Sequence, residues 1–348
     1  MSAPFTGTPF ALTASRETAH CWAGRPDLLA KLQRISQSLT GRPESSLDMI
    51  WANLGAGKSH ALYFLDAELR SRERVVTALF EMPEQPKKFL DLYRRVVQEI
   101  PRDQVLKHLV DDAPKHAPDL RRAARAILHG GARERELAED WLLAGRPALR
   151  DLRAATGIAT RIDDDRQACD VLADVVRALA KQKIRLVILV DEFQRLSATQ
   201  PRNRDGILAN LRSVFSASPS HFSVVAAAAS RLESNALALL PGELRTLMGM
   251  KPALSLPTMS EEEAFDFIVK RFSFFRPQGF DGDLFAPFGE VGLRSIVGFV
   301  ARAGEGRLIP RTLMQACGWV YDDLVSKGKS ALDPALTEHL LGELRWDD

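Results

Sequence analysis

The sequence predicts an α/β protein: a three-layer core around a parallel sheet, carrying a helical insert and followed by a small all-α domain. Three observations lead there. Apolar strand-length runs alternate with helix-period segments as far as Pro257, the order of a doubly wound layer structure. Ile184-Arg-Leu-Val-Ile-Leu-Val190 is a continuous β-branched run, which suits a strand buried on both faces. After Pro257 the strand signal stops and helical periodicity alone continues. The expected boundaries are 1–46 for an N-terminal arm and lead-in helix, 47–257 for the α/β core with its insert at about 86–180, and 258–348 for a C-terminal helical domain.

Taken in order, residues 1–20 show no period and read as a loose arm. From Cys21 the chain runs into an amphipathic helix through Ser38, and Arg42–Ser46 is a linker. Leu47–Asn53 is the first strand and Ser59–Ser71 the first core helix. Val75–Met82 is the second strand, ended by Pro83. Phe89–Ile100 carries an apolar helical stripe, 117–152 is rich in Ala, Arg and Leu with breaks at Gly130-Gly131 and Gly145-Arg-Pro147, and Asp164–Lys181 is amphipathic. Arg202–Ser216 is helical, Phe222–Ala229 is another buried strand and Ala253–Pro257 a short one. Ser260-Glu-Glu-Glu263 is a capping box. It opens a helix to about Phe274, with further helices expected at Leu293–Arg302, Arg311–Ser326 and Asp333–Leu344.

Bulk properties exclude more than they assign. The 348 residues suffice for a large domain or two smaller ones; 45% are hydrophobic and 26% charged, values of an ordinary globular protein. A net charge of +2 is too balanced to argue for nucleic acid by itself. Cys21, Cys169 and Cys317 are far apart and form no C-x-x-C pair, so they read as buried thiols in a reducing compartment, and the cytoplasm is expected. No signal peptide is visible at the N-terminus, and no apolar run approaches the roughly 18 residues of a membrane helix.

The chemistry is concentrated in Ala52-Asn-Leu-Gly-Ala-Gly-Lys-Ser59. It follows a strand and opens a helix, the context required of a G-x-x-x-x-G-K-S/T phosphate-binding loop. Its residues Asn53, Leu54, Gly55, Ala56, Gly57, Lys58, Ser59 and His60 are the candidate cradle for ATP. Lys58 is placed to reach the β- and γ-phosphates, and Ser59 to put its hydroxyl on Mg²⁺. The first glycine of the pattern is replaced by Ala52. The central strand ends in Asp191-Glu192, the acidic pair of a Walker B: Asp191 for Mg²⁺ and Glu192 to polarise the attacking water. Ser230 ends the next strand; it is similar in position to the polar residue that contacts the attacking water or γ-phosphate in ATPases of the AAA+ group, and its other reading is a hydroxyl bonded to its own backbone. Arg245 precedes the last strand, and resemblance to the AAA+ group implies an arginine finger there; a plain surface arginine is the other reading, and Arg231 and Arg212 are competitors for the role. Pro310 suits a first helical turn and sets Arg311 at a helix N-terminus.

Together with the Gly24-Arg25 box before the first strand, these residues resemble the AAA+ P-loop ATPases, and within them the origin-recognition/Cdc6-like branch. Pro310-Arg311 is similar to the sensor 2 motif of that group. More narrowly, Trp141-Leu-Leu-Ala-Gly-Arg-Pro147, Leu152 and Gly157–Asp164 resemble the ATP-binding proteins of BREX-type phage-defence loci. The resemblance implies a P-loop NTPase core with a helical lid, ATP and Mg²⁺ as cofactors, ATP hydrolysis, homo-oligomers, and a switch acting on double-stranded DNA or on a protein partner in a multigene system. Two alternatives stay open: a regulatory ATP-binding scaffold that controls a separate effector, and a transposition-type DNA target selector. Relatives of that branch append a winged helix of roughly 80 residues, whereas about 20 residues follow Ser326 here, so any DNA is expected on the ATPase ring or the insert. The insert arginines (Arg121, Arg122, Arg125, Arg133, Arg135, Arg146, Arg150 and Arg153) are interspersed with carboxylates and read better as a solvated face than as a phosphate-contacting one. A kinase and a metalloenzyme are disfavoured, since no substrate-hydroxyl pocket and no paired His or Cys spacing is evident.

Overall fold

The computed structural model describes residues 5–326 and 339–342. The chain divides into two compact units, one built from 34–51 and 65–255, the other from 1–33, 52–64 and 256–348. They are called here the sheet unit and the helical unit. Two helices run through a boundary between them: α1 (Pro26–Gly41), which starts on a proline as a first turn allows, and α2 (Lys58–Arg70).

The sheet unit holds five parallel strands, β1 (Ser46–Ala52), β2 (Val75–Glu81), β3 (Arg185–Asp191), β4 (Phe222–Ala229) and β5 (Leu254–Ser255), in the order β2-β3-β4-β1-β5. All seven residues of β3 are buried, as its unbroken apolar run requires at the middle of a parallel sheet. Register is fixed along its whole length on β2, from Val75 opposite Arg185 to Glu81 opposite Asp191, and β4 follows from Phe222 opposite Leu186. Because the strands are parallel, their carboxyl ends share one edge, with Glu81, Asp191 and Ala229 finishing β2, β3 and β4. The starts of the same strands form the opposite, amino edge. β5 is shorter than expected: it pairs through Leu254 and Ser255 alone, and Pro257 has no N–H with which to prolong the ladder. The C-terminal turns of α2 are tied to the sheet through Asp66, which accepts from the Thr77 hydroxyl at 2.5 Å and from Arg70 Nε at 2.9 Å.

The insert is six helices, α3 (Phe89–Glu99), α4 (Arg102–Asp112), α5 (Pro118–His129), α6 (Ala132–Leu142), α7 (Leu149–Thr156) and α8 (Asp165–Lys181). The stripe expected on α3 is its buried face, Phe89, Leu92, Tyr93, Val96 and Val97. Polar side chains in the insert close local contacts. The buried Tyr93 hydroxyl donates to the Leu142 carbonyl at 2.9 Å, Trp141 Nε1 to that of Thr160 at 2.8 Å, and Asp164 caps α8 through the Gln167 amide at 2.8 Å. Four of the insert arginines are engaged in the same way: Arg121 on the Ala113 carbonyl, Arg122 on Asp119, Arg133 on Glu136 and Arg153 on the Ala159 carbonyl. The unit is completed by a 3₁₀ turn at Phe193–Ala198, α9 (Pro201–Ala217) and two short helices, α10 (Glu233–Leu237) and α11 (Gly242–Arg245).

The helical unit has its own core, formed by α12 (Glu261–Phe274), α13 (Gly289–Arg302) and α14 (Pro310–Ser326). The capping box is present as read: Ser260 Oγ accepts from the Glu263 amide, and Glu263 reaches back to the Ser260 amide. Of the helix expected over Asp333–Leu344, residues 339–342 are helical and the rest lie outside the described residues. The arm differs from its expectation. Its described residues, 5–20, have no regular structure, but Phe5 and Phe10 pack their rings 5.1 and 5.6 Å from Phe272, and buried Arg271 donates to the carbonyls of Pro9 and Ala11. Two aromatic residues in an aperiodic stretch carry no period from which such anchoring can be read. Among the described residues no helix is long and apolar enough to cross a membrane.

Candidate functional site

The phosphate-binding loop belongs to the helical unit. Gly55 and Gly57 have φ of +79° and +104°, conformations that side chains resist, so the two glycines of the motif are required by the backbone itself. At the position of the motif's first glycine, Ala52 ends β1, buried, and its side chain is accommodated. Lys58 is 5% exposed and its ammonium donates to the Asn53 carbonyl at 3.1 Å and that of Ala52 at 3.4 Å. Lys58 also opens α2, so the first-turn N–H groups and a buried cation converge on one place, the arrangement that an anion takes. Ser59 follows in the same turn, and Leu54 stands on the outside, 61% exposed. The residues fit a nucleotide's phosphates.

Three other segments of the helical unit hold this loop. The N-terminus of α14 meets it: the Arg311 amide donates to the Gly55 carbonyl at 3.4 Å. A Cβ on Gly55 would lie 2.9 Å from Arg311 Cβ and 3.1 Å from Ile309 Cδ1, so backbone and lid helix approach as closely as glycine permits. The Arg311 side chain is exposed and has no protein partner among the described residues. Arg25 is 6% exposed and donates through Nη1 to the Ala56 carbonyl at 3.3 Å, while its Nε and Nη2 are shielded and have no hydrogen-bond partner among the described residues. Burial lowers its pKa to about 10, opposed by Glu263. A buried cation with unused donors beside the loop adds to the positive potential felt there. Third, the segment Ala19–Trp22 packs on His60 at the start of α2. The His60 Nε2 lies 3.3 Å from the Ala19 carbonyl and its ring edge meets Trp22 at 5.6 Å. Burial drives its pKa down to about 4, with the Arg271 charge acting in the same direction and the Ala19 hydrogen bond against it.

The acidic pair belongs to the sheet unit, at the carboxyl edge. Asp191 is 5% exposed, and its Oδ1 accepts from the Glu192 amide at 2.8 Å. Glu192 has φ +54°, a left-handed conformation rare for a glutamate and of the kind found at functional sites. Its carboxylate accepts from Gln194 Nε2 at 2.7 Å and has Arg195 Nε at 3.9 Å. Gln194 Oε1 in turn accepts from the Ala229 amide at 2.8 Å, so one side chain links Glu192 to the end of β4. Sequence reading missed Gln194. The one available signal was a polar residue two positions beyond a strand-end acid, and glutamines in such loops are common.

The remaining candidates are also in the sheet unit. The Ser230 hydroxyl is exposed and closed on its own turn, donating to the Leu232 carbonyl at 2.7 Å and accepting from the Leu232 amide at 3.3 Å. Arg245 ends α11, anchored by buried Leu244, with its own side chain exposed and unpartnered among the described residues. Arg231 is exposed as well, whereas Arg212 is paired with Glu243 at 2.7 Å. No group of three His, Cys, Asp or Glu side chains able to hold a metal occurs among the described residues. Any Mg²⁺ would therefore depend chiefly on phosphate and water oxygens, as it commonly does in nucleotide sites.

No family model and no curated protein matches the chain. Solved structures do. The Aeropyrum pernix ORC2 protein, in its ADPNP–ADP complexes, superposes with a TM-score of 0.59 at 16% identity, covering 93% of this chain and 68% of that one. Cdc6p from Pyrobaculum aerophilum gives 0.52 at 12% identity, covering 88% and 64%. Drosophila ORC bound to DNA gives 0.51 at 13% identity, covering 95% and 65%. The chain thus spans about two thirds of the length of each. At these identities the likeness speaks for fold, and the chain has the α/β P-loop NTPase-like fold of the origin-recognition and Cdc6 proteins.

Proposed function

We propose that this chain is an AAA+ ATPase that binds ATP·Mg²⁺ on the loop 53–59 and works as an oligomeric switch on DNA or on a protein partner. The observation that carries the reading is the loop itself: two left-handed glycines, a buried lysine at a helix start, and the N-terminus of α14 with Arg311 packed on the loop backbone. Lys58 would neutralise the β- and γ-phosphates and Arg311 would add charge from the lid side. Mg²⁺, held with the help of Ser59 and Asp191, would supply charge neutralisation at the phosphates. Glu192 would orient the attacking water, and an exposed arginine, Arg245 or Arg231, would complete the site of a neighbouring copy. Such hydrolysis needs positioning and charge stabilisation without covalent chemistry. The resemblance of the insert to phage-defence ATP-binding proteins is what points to a defence or mobile-element system.

A second reading, an ATP-gated scaffold with little turnover, is favoured by one observation. The Glu192 carboxylate is engaged by Gln194, so the side chain that should polarise water is already hydrogen-bonded. Steady-state hydrolysis, with and without duplex DNA, separates the two. Turnover that Glu192→Gln abolishes supports the ATPase; tight ATP binding without turnover supports the scaffold.

A further inference from the structure

The amino edge of the sheet, at the opposite ends of the strands from Asp191 and Ala229, holds a cavity of about 270 Å³. Its wall carries Arg42, Arg72, Arg74, Lys183, Arg185 and His221 and no acidic side chain. These residues come from the segments leading into four strands: 42 before β1, 72 and 74 before β2, 183 and 185 at β3, and 221 before β4. A parallel sheet brings its strand starts together, and here each start delivers a basic group.

The cavity is also built. Arg185 is 4% exposed and locked, donating to Ser223 Oγ at 2.6 Å, to the Glu44 carbonyl at 3.1 Å and to the Arg42 carbonyl. The His221 amide donates to the Pro43 carbonyl at 2.7 Å, which pins the loop, and the His221 ring Nδ1 is shielded from solvent with no hydrogen-bond partner among the described residues. Arg42, Arg72, Arg74 and Lys183 are exposed, and none has an ion-pair partner among the described residues. Of the eight insert arginines, by contrast, four are engaged by neighbouring carboxylates and carbonyls. Glu44 and Glu73 are the nearest acids in sequence, and both are exposed outside the wall.

We propose that this pocket receives a backbone phosphate of a nucleic-acid strand, with Arg72, Arg74 and Lys183 as its exposed donors. Four exposed cations from three strand starts reach a ligand longer than one phosphate, and the wall offers no Phe, Tyr or Trp as a base platform, so the contact is to backbone and indifferent to sequence. The DNA branch of the proposed function is what selects nucleic acid over a free oligophosphate.

The test is fluorescence anisotropy of a labelled duplex of about three helical turns, titrated with the full chain at several salt concentrations. Wild type is compared with Arg72→Glu/Arg74→Glu/Lys183→Glu. We expect the triple variant to weaken binding about tenfold or more and to lower the slope of log affinity against log salt by about 2 to 3. It should keep its melting temperature and ATP affinity. If the triple variant does not fold, Lys183→Glu alone should still reduce the salt slope by about 1. Duplex binding that neither variant weakens overturns the pocket and leaves a DNA-directed function standing. No duplex binding by wild type overturns both, and inorganic pyrophosphate binding lost in the triple variant would then assign the pocket to a small anion.

Discussion

Gly55→Ala tests the packing of the phosphate loop on the lid helix. The substitution meets two costs. At φ +79° an alanine is strained by about 1–2 kcal/mol. Its Cβ would also lie 2.9 Å from Arg311 Cβ, so loop or helix must shift, and overpacking of this kind adds about 1–3 kcal/mol. Gly306 supplies the control, since its φ is +84° and a Cβ there meets nothing within 4 Å. Gly306→Ala should therefore cost only the conformational part. Denaturant unfolding of both variants should put Gly55→Ala below Gly306→Ala by about 1–3 kcal/mol. Its affinity for a fluorescent ATP analogue should fall, while that of Gly306→Ala stays near wild type. Ile309→Ala in the Gly55→Ala background removes Cδ1, the second obstructing atom, and should narrow the gap. Equal losses for the two glycine variants would refute the close approach of loop and α14.

Two further outcomes follow from a half-buried imidazole and a buried cation. His60 has its folded pKa lowered to about 4 from the ordinary 6.5, so it takes up a proton more readily unfolded; its contribution is present above pH 6.5 and is lost as pH falls toward 4. That amounts to about 3 kcal/mol between pH 7 and pH 4, and unfolding of His60→Gln, which lacks the titration, should lose correspondingly less than wild type over that window. Arg271→Met removes the donors to the Pro9 and Ala11 carbonyls, and should cost about 2–3 kcal/mol and open residues 6–20 to limited proteolysis, with fragment masses as the readout.

The fold was legible because its strongest signals are physical necessities. A strand buried on both faces must be apolar throughout, and 184–190 declared itself as β3 within one residue. The phosphate loop was legible because left-handed turns at a helix start need glycine, and Gly55 and Gly57 occupy them. Other features left no trace. The arm has no period, and its anchoring depends on Arg271, some 260 positions away. Gln194 acts through two hydrogen bonds that a spacing rule does not encode. The basic pocket is assembled from six residues scattered between 42 and 221, each unremarkable in its own segment, and strand order alone makes them neighbours. Ala52 departs from the glycine pattern without consequence for the strand it ends, because its side chain is buried within the 2% exposure of a core position.

The most direct test of the central claim is ATP binding and steady-state hydrolysis by wild type, Lys58→Ala and Glu192→Gln, assayed side by side. Wild type should bind and turn over ATP, Lys58→Ala should lose binding, and Glu192→Gln should bind ATP and leave it unhydrolysed. ATP binding by Lys58→Ala at wild-type affinity would contradict the assignment of the loop as the nucleotide site.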